Sequence, residues 1–290
     1  MAIVMLVVMN LAVMASLYFV LFILGTFFGI HLDPNSTSGL FMFAALFGFG
    51  GSFISLLLSK TMAIKGMGVQ LIESPRNEFE SWLLKTIDRL SYDAGLKMPD
   101  VGIFDAPPNA FATGWDKNSA LVAVSSGLIE LMNKDEIEGV LAHEISHIKN
   151  GDMVTMTLMQ GVLNTFVIFV SRLLANVLAR DKNGNTNFMS YYAISFALEM
   201  VFSLFATAIL MWFSRYREYK ADEGAVALSG INGIYFALAK LGKIPKEQLR
   251  LKNDMQAFGI IGFLETFFAS HPPIEKRLMH IENISKGNRN

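Results

Sequence analysis

The stretch NKDEIEGVLAHEISHIKNGD, from Asn133 to Asp152, decides how the rest of the chain is read. It predicts a helix from about Lys134 to Lys149. Asn133 stands where a cap belongs, and Asp135 and Glu136 fill the first turn, where carboxylates complement the positive end of the helix dipole. Asn150-Gly151 supplies the stop. His143 and His147 stand four residues apart, and at about 3.6 residues per turn such positions share one face, so both imidazoles can reach one ion. Glu144, beside the first of them, can reach a water on that ion without being a ligand. This is the H-E-x-x-H arrangement: zinc brings the pKa of its water down to about 7, and the carboxylate takes the proton as hydroxide attacks a carbonyl.

A catalytic zinc needs a third protein ligand and an open position. The extended motif, with a third His six residues after the second, is ruled out because Met153 stands there and Asn150 replaces the required Gly. The ligand must come from elsewhere. Glu218-Tyr219-Lys220-Ala221-Asp222 offers two carboxylates at i and i+4. Glu218 is the better candidate, with Asp222 accepting from the far nitrogen of a ligating imidazole and so setting its tautomer. Asp222 or Glu223 as ligand remains an alternative. So does a solvated face paired with Arg215, Arg217 and Lys220.

Composition places this motif in an unusual setting. Of 290 residues, 52% are hydrophobic and 17% charged, against about 25% charged in an ordinary soluble domain. A membrane protein is expected. The formal net charge of −1 and the lack of a long basic patch exclude a nucleic-acid partner. With no cysteine there can be no disulfide, Cys-ligated zinc or iron–sulfur site, so a metal must be held by His and carboxylates. The 17 methionines read as apolar filler.

Four apolar runs follow from the pattern: Ile3–Ile30, Gly39–Leu58, Met153–Leu178 and Tyr191–Phe213. About 20 apolar residues suffice to cross the hydrocarbon. The first run lacks the basic start and short core of a signal peptide, so it is expected to stay as a span. Gly48, Gly50, Gly51 and Ser52 in the second would let two membrane helices approach closely, which predicts a hairpin of the first two spans. Lys60, Lys65 and Arg76 follow the second run while the preceding turn has neither Lys nor Arg, which puts this side, and the N-terminus, in the cytoplasm. The last two runs are interrupted by Gln160, Asn164, Arg172 and Glu199. Arg172 is expected to snorkel to the interface and Glu199 to line a bundle interior. His143 precedes the third run and Glu218 follows the fourth, so they can meet only if an even number of crossings separates them.

Between the hairpins the chain reads as a water-soluble α+β unit. Phe79–Ala94 is expected to be helical, Val101–Phe104 and Ala120–Val124 to be strands, and Asn109–Gly114 lies between them as a loop or strand. The tail from Ser214 is polar with a helical pattern.

The motifs His143-Glu-Ile-Ser-His147 with Lys-Asn-Gly-Asp152, and Arg217-Glu-Tyr-Lys-Ala-Asp222, resemble the HtpX-type membrane proteases, relatives of the CAAX prenyl endopeptidases among the Glu-ligand zinc peptidases. The resemblance covers essentially the whole chain. It implies an ATP-independent endopeptidase of the bacterial inner membrane, cytoplasm-facing, acting in stress response and membrane-protein quality control. It also implies that Asn109, Ala110, Phe111 and Ala112 form an edge strand aligning the substrate backbone by β-augmentation. Ser270-His271-Pro-Pro-Ile-Glu-Lys-Arg277 is similar to the family's C-terminal motif, whose His and Arg sit near the site. His271 would then donate to the oxyanion of the tetrahedral intermediate, and Arg277 would act at the substrate or orient a carboxylate.

The expected fold is therefore α+β: a mostly helical multi-pass membrane protein with a zincin-like metalloprotease domain, a short sheet plus the active-site helix. Residues 1–59 would be a transmembrane hairpin, 60–152 the first catalytic part, 153–213 a second hairpin that spans or re-enters, and 214–290 the part completing the site. One Zn2+ per subunit, protein substrates and the lipid bilayer are the expected partners. A peptidase dedicated to one substrate, such as a prenylated C-terminus, is a second reading, disfavoured because the prenyl endopeptidases have more spans. A non-hydrolytic metal-binding scaffold is a third, against which the presence of Glu144 argues.

Overall fold

A computed structural model of the chain describes residues 36–180, 186–244 and 271–287, together with Phe22, residues 25–27 and Gly184. The first apolar run, Ile3–Ile30, lies outside them apart from those few positions, and with it the hairpin expected of the first two spans. Two compact units are present. One holds residues up to Leu56 and Thr155–Met211, and the other Leu57–Val154 and everything from Trp212 onward.

The first unit is helical. Helix α1 (Thr37–Gly66), helix α5 (Asp152–Leu178) and helix α6 (Phe188–Ser229) are each long and apolar enough to cross a membrane. Ser36 caps α1, its side chain accepting from Gly39 N. A π-helical turn, Leu46–Gly50, interrupts α1 where its glycines lie. Those small residues do serve close packing, here against α5: a Cβ on Gly48 would fall on the backbone of Thr165, and one on Gly161 would strike the ring of Phe49. Polar groups in this unit find one another. Gln160 Nε2 donates to Asn164 Oδ1 at 3.0 Å, and Asn164 Nδ2 donates to Ser52 Oγ at 3.4 Å. Arg172, expected to snorkel, has a carboxylate and a ring beside it. Its Nε stands 3.6 Å from Glu199 Oε1, and its guanidinium lies over the Phe43 ring at 4.6 Å. A nearby counter-ion and an aromatic face attend the charge, and both charged side chains stay partly exposed.

The second unit carries a four-stranded sheet in the order β1-β2-β4-β3, made of β1 (Gln70–Leu71), β2 (Asp100–Phe104), β3 (Ala110–Thr113) and β4 (Leu121–Ser125). β2 and β4 run parallel, and the two outer strands are antiparallel to them. β1 was not anticipated, since two residues are too few to show an alternation. Every residue of β4 is buried, which explains its uninterrupted apolar run. Helix α2 (Glu78–Ala94) is capped by Asn77 and ends at Gly95, φ 72°. Short α3 (Ser126–Leu131) starts on the Ser125 side chain. Helix α4 (Lys134–Asn150) has a complete capping box between Asn133 and Glu136 and ends at Gly151 in the left-handed region, φ 71°. Helices α7 (Ile231–Leu241) and α8 (Ile274–Ser285) complete the unit. Its smaller core gathers Val69, Phe104, Leu121 and Ala123, and its larger core gathers Leu83, Ile87 and Leu90 of α2, Val122 and Val124 of β4, Ile137, Leu141, Ile145 and Ile148 of α4, and Ile234 of α7. These residues occupy one face of α4 and leave the opposite face to His143 and His147.

Glycine sets the distance between α4 and α7. A Cβ on Gly139 would fall on the backbone of Gly233 and Ile234, and one on Gly233 would reach back to Asp135 and Gly139. Neither backbone can yield, so Gly139→Ala overpacks the helix that carries both imidazoles. It should destabilise the protein by about 1–3 kcal/mol, read as a lowered thermal midpoint in detergent. An unchanged midpoint would show that the two helices are free to separate.

Candidate metal centre

Helix α4 presents the two imidazoles one turn apart with their Nε2 atoms 3.1 Å from each other. Helix α6 brings the third group, 71 residues further along the chain by the numbering of His147 and Glu218. Glu218 Oε1 lies 3.4 Å from His147 Nε2, and Oε2 lies 3.5 Å from His143 Nε2. Tetrahedral ligands at about 2.0–2.1 Å from an ion stand about 3.3–3.4 Å apart, so the spacing fits a single cation. His143 and Glu218 are buried, and His143, His147 and Glu218 form the group that could hold a metal among the described residues. A further observation points the same way. Glu218 Oε2 is buried yet has no aligned hydrogen-bond partner, although His271 Nδ1 stands 2.8 Å and Arg277 Nη1 3.3 Å from it. A buried carboxylate oxygen left so is costly unless a cation completes it.

The other two carboxylates considered for this place are engaged elsewhere. Asp222, fully buried one turn after Glu218, lies 3.0 Å from His143 Nδ1. Arg277 of α8 grips its two oxygens, Nη2 donating at 2.6 Å and Nε at 2.9 Å. The fork of Arg277 is thus spent mainly on Asp222. Glu223 turns to Lys220, at 2.9 Å. Glu144 is half-buried on α4, and its charge contributes to raising the pKa values of both His147 and Arg277. His271 is exposed, but its ring nitrogen reaches Glu218.

Burial lowers the pKa of both imidazoles, and at His143 the Arg277 guanidinium lowers it further. The carboxylates outweigh this. Asp222 and Glu218 hold His143 above its ordinary value, and Asp152 and Glu218 push His147 up to about 10. Asp152 closes the motif quoted from the sequence but was given no role there. Its Oδ2 lies 2.6 Å from His147 Nδ1, and Arg217 Nη1 donates to its backbone carbonyl at 2.8 Å. The available signal was a carboxylate directly after a helix-stopping glycine, where the reversed chain brings it back beside the last turn.

Asn109, Ala110, Phe111 and Ala112 lie at the border of the sheet. Asn109 N donates to Ser125 Oγ at 2.8 Å, and its carbonyl accepts from Ser125 N at 2.9 Å. Ala110–Thr113 then pair with β4, leaving β3 at the border of the sheet among the described residues, and β3 packs against α4.

The chain has known relatives. A family model described as "Peptidase family M48" matches residues 77–285. A protein named "Protease HtpX" from Vibrio vulnificus (strain YJ016) is 52% identical over 281 residues, covering 94% of this chain and 96% of that one. Its namesake from Histophilus somni (strain 2336) is 50% identical over 286 residues, with 97% and 98% covered. Among solved structures, the crystal structure of S. mikatae Ste24p superposes with a TM-score of 0.64 at 18% identity. The match takes in 95% of this chain and 64% of that longer one, and at such identity it speaks for the fold alone. An HExxH helix facing a distant Glu, with the family's match over most of the chain, makes this a membrane metalloendopeptidase that belongs to peptidase family M48.

Proposed function

We propose that the chain is a zinc-dependent endopeptidase of a bacterial inner membrane. It would cleave misfolded or exposed segments of membrane proteins as quality control, in response to stress, with its active site in the cytoplasm. The observation that carries this reading is the tetrahedral spacing of His143, His147 and Glu218 beside a half-buried Glu144. Two imidazoles and one carboxylate suit zinc, and the lack of cysteine leaves no competing thiolate set. The bound ion, one per subunit, supplies a Lewis acid that acidifies water and polarises the scissile carbonyl.

The chain's own groups supply the rest. Glu144 takes the proton of the attacking water and passes it to the leaving amine. His271, exposed at the rim, donates to the oxyanion as the carbonyl becomes tetrahedral. The free edge of β3, with Asn109 to Ala112, pairs with the extended substrate backbone beside α4. Asp222, gripped by Arg277, holds the His143 ring. Residues 60–152 and 214–290 act as the two halves of this catalytic part, and 1–59 and 153–213 as its membrane hairpins. Lys60, Lys65 and Arg76 support the cytoplasmic orientation. The dedicated processing peptidase and the inert scaffold are the competing readings.

Glu144→Gln should bind zinc as the parent does and lose cleavage of casein, and of itself, by about 10²–10⁴-fold. Cleavage at the parent's rate would end the peptidase mechanism. Glu218→Ala should leave the purified protein with little zinc by elemental analysis, and full occupancy would remove Glu218 from the ligands.

The pH response of metal-stripped protein has a definite sign. His147 is raised from 6.5 to about 10 in the fold, so its protonated form stabilises the metal-free protein most fully below pH 6.5. That contribution declines as pH rises and is lost on passing about 10. Metal binding instead expels the protons and strengthens with pH. Thermal midpoints of stripped protein should therefore fall between pH 6.5 and 9 while those of zinc-loaded protein do not. A rise in the stripped protein would contradict the pairing.

A further inference from the structure

The chemistry above makes no use of Asp152 or Arg217, yet Asp152 reaches His147 of α4 and Arg217 bonds Asp152. An imidazole that donates its Nδ1–H to a carboxylate is held as the tautomer whose Nε2 lone pair is free, with its ring unable to swing. His143 has this arrangement through Asp222. His147 has the same chemistry from another direction: the Asp152 carboxylate, 2.6 Å from its Nδ1, in a residue that is 6% exposed. Asp152 follows the left-handed Gly151 directly and opens α5, so the reversal that ends α4 is what returns the carboxylate to the ring.

Arg217 is placed to hold that reversal. Its Nη1 donates to the Asp152 backbone carbonyl at 2.8 Å but stands 3.7 Å from the carboxylate Oδ1. The short bond is to the backbone. Arg217 therefore fixes where Asp152 stands through its backbone, and leaves the carboxylate turned to His147. On the other arm the opposite holds, since Arg277 bonds both carboxylate oxygens of Asp222 and leaves its backbone alone. Arg217 also precedes Glu218 in the chain, so one turn of α6 carries both the third candidate ligand and the clamp on the partner of the second. The bland role for Asp152, an acidic residue in the first turn of α5 facing the helix dipole, requires neither the short approach to His147 nor the arginine on its carbonyl.

We propose that Asp152 is a positioning residue for His147, and that Arg217 acts through the Asp152 backbone. The Gly151–Asp152 reversal thereby belongs to the metal-holding apparatus. This rests on His147 being a metal ligand, as the proposed function has it. The test uses full-length protein in detergent, carrying Glu144→Gln throughout to prevent self-cleavage, with zinc affinity measured by competition with a chromophoric chelator and folding followed by circular dichroism.

Asp152→Asn keeps size and an acceptor but loses the charge, and should bind zinc about ten- to a hundred-fold more weakly. Asp152→Ala should be at least as weak, and Asp152→Glu should recover part of the loss. Arg217→Gln should weaken zinc less than Asp152→Ala does, and should add nothing to it in the double variant, because it acts through the same residue. Parent-like zinc affinity in folded Asp152→Asn overturns the role of Asp152. So does Asp152→Glu no better than Asp152→Ala, the variant pair that decides should Asp152→Asn fail to fold. Full additivity with Arg217→Gln overturns the link between the two. Failure of the Glu144→Gln parent itself to bind zinc would refute the metallopeptidase reading instead.

Discussion

Charge balance around two buried imidazoles is the constraint on which the catalytic unit depends. Glu144, Asp152, Glu218 and Asp222 bring four carboxylates to His143 and His147, while Arg217 and Arg277 bring two guanidiniums. Two negative charges are left over. Glu144 is half-exposed and His271 stands beside Glu218, but burying the rest of that surplus unpaired is expensive, so the cluster attracts positive charge. The raised pKa values of both histidines are that demand expressed in protons. A divalent cation satisfies it equally well while freeing both Nε2 atoms to coordinate, which makes the cation and the two protons alternative occupants of one charge deficit.

Helix geometry delivers these groups with little adjustment. α4 offers imidazoles at i and i+4, and α6 offers carboxylates at i and i+4, so the two rows face each other as pairs: Glu218 toward both Nε2 atoms, Asp222 toward His143 Nδ1. The approach is close because Gly224 has no side chain where a Cβ would fall on Ser146 of α4. Ser146 in turn donates to the Ala142 carbonyl at 2.7 Å, so its hydroxyl is satisfied within the helix and asks nothing of α6. Arg277 then enters from α8 and locks Asp222 with two bonds, which makes the C-terminal helix part of the site.

Much of this could be read from the sequence because it is local. The capping box at Asn133, the stop at Gly151 and the i, i+4 pair of imidazoles all follow from positions within one helix. The choice among Glu218, Asp222 and Glu223 was open because it depends on which face of α6 meets α4, and periodicity in a single helix carries no such information. Asp152 was hidden for a related reason: its role arises from a chain reversal, in which a neighbour in sequence becomes a partner in space. β1 has two residues and no pattern to show. That Glu199 stands near Arg172 could not be read either, because the position of one side chain opposite another is a tertiary fact.

The two units contain ion pairs of different kinds, and counting charges separates them. In the apolar unit, Arg172 and Glu199 form one guanidinium and one carboxylate, closed to neutrality, with the Phe43 ring covering the cation. Nothing is left over, so the pair can serve packing between helices without attracting an ion. In the catalytic unit the same residue types are present with the carboxylates in excess, and the excess converges on atoms spaced for a metal. A buried polar cluster that balances itself is structural by default. One with carboxylates in excess can hold a cation, and here the residues that could hold it stand on the helix bearing Glu144, against which the border strand β3 packs, and on α6.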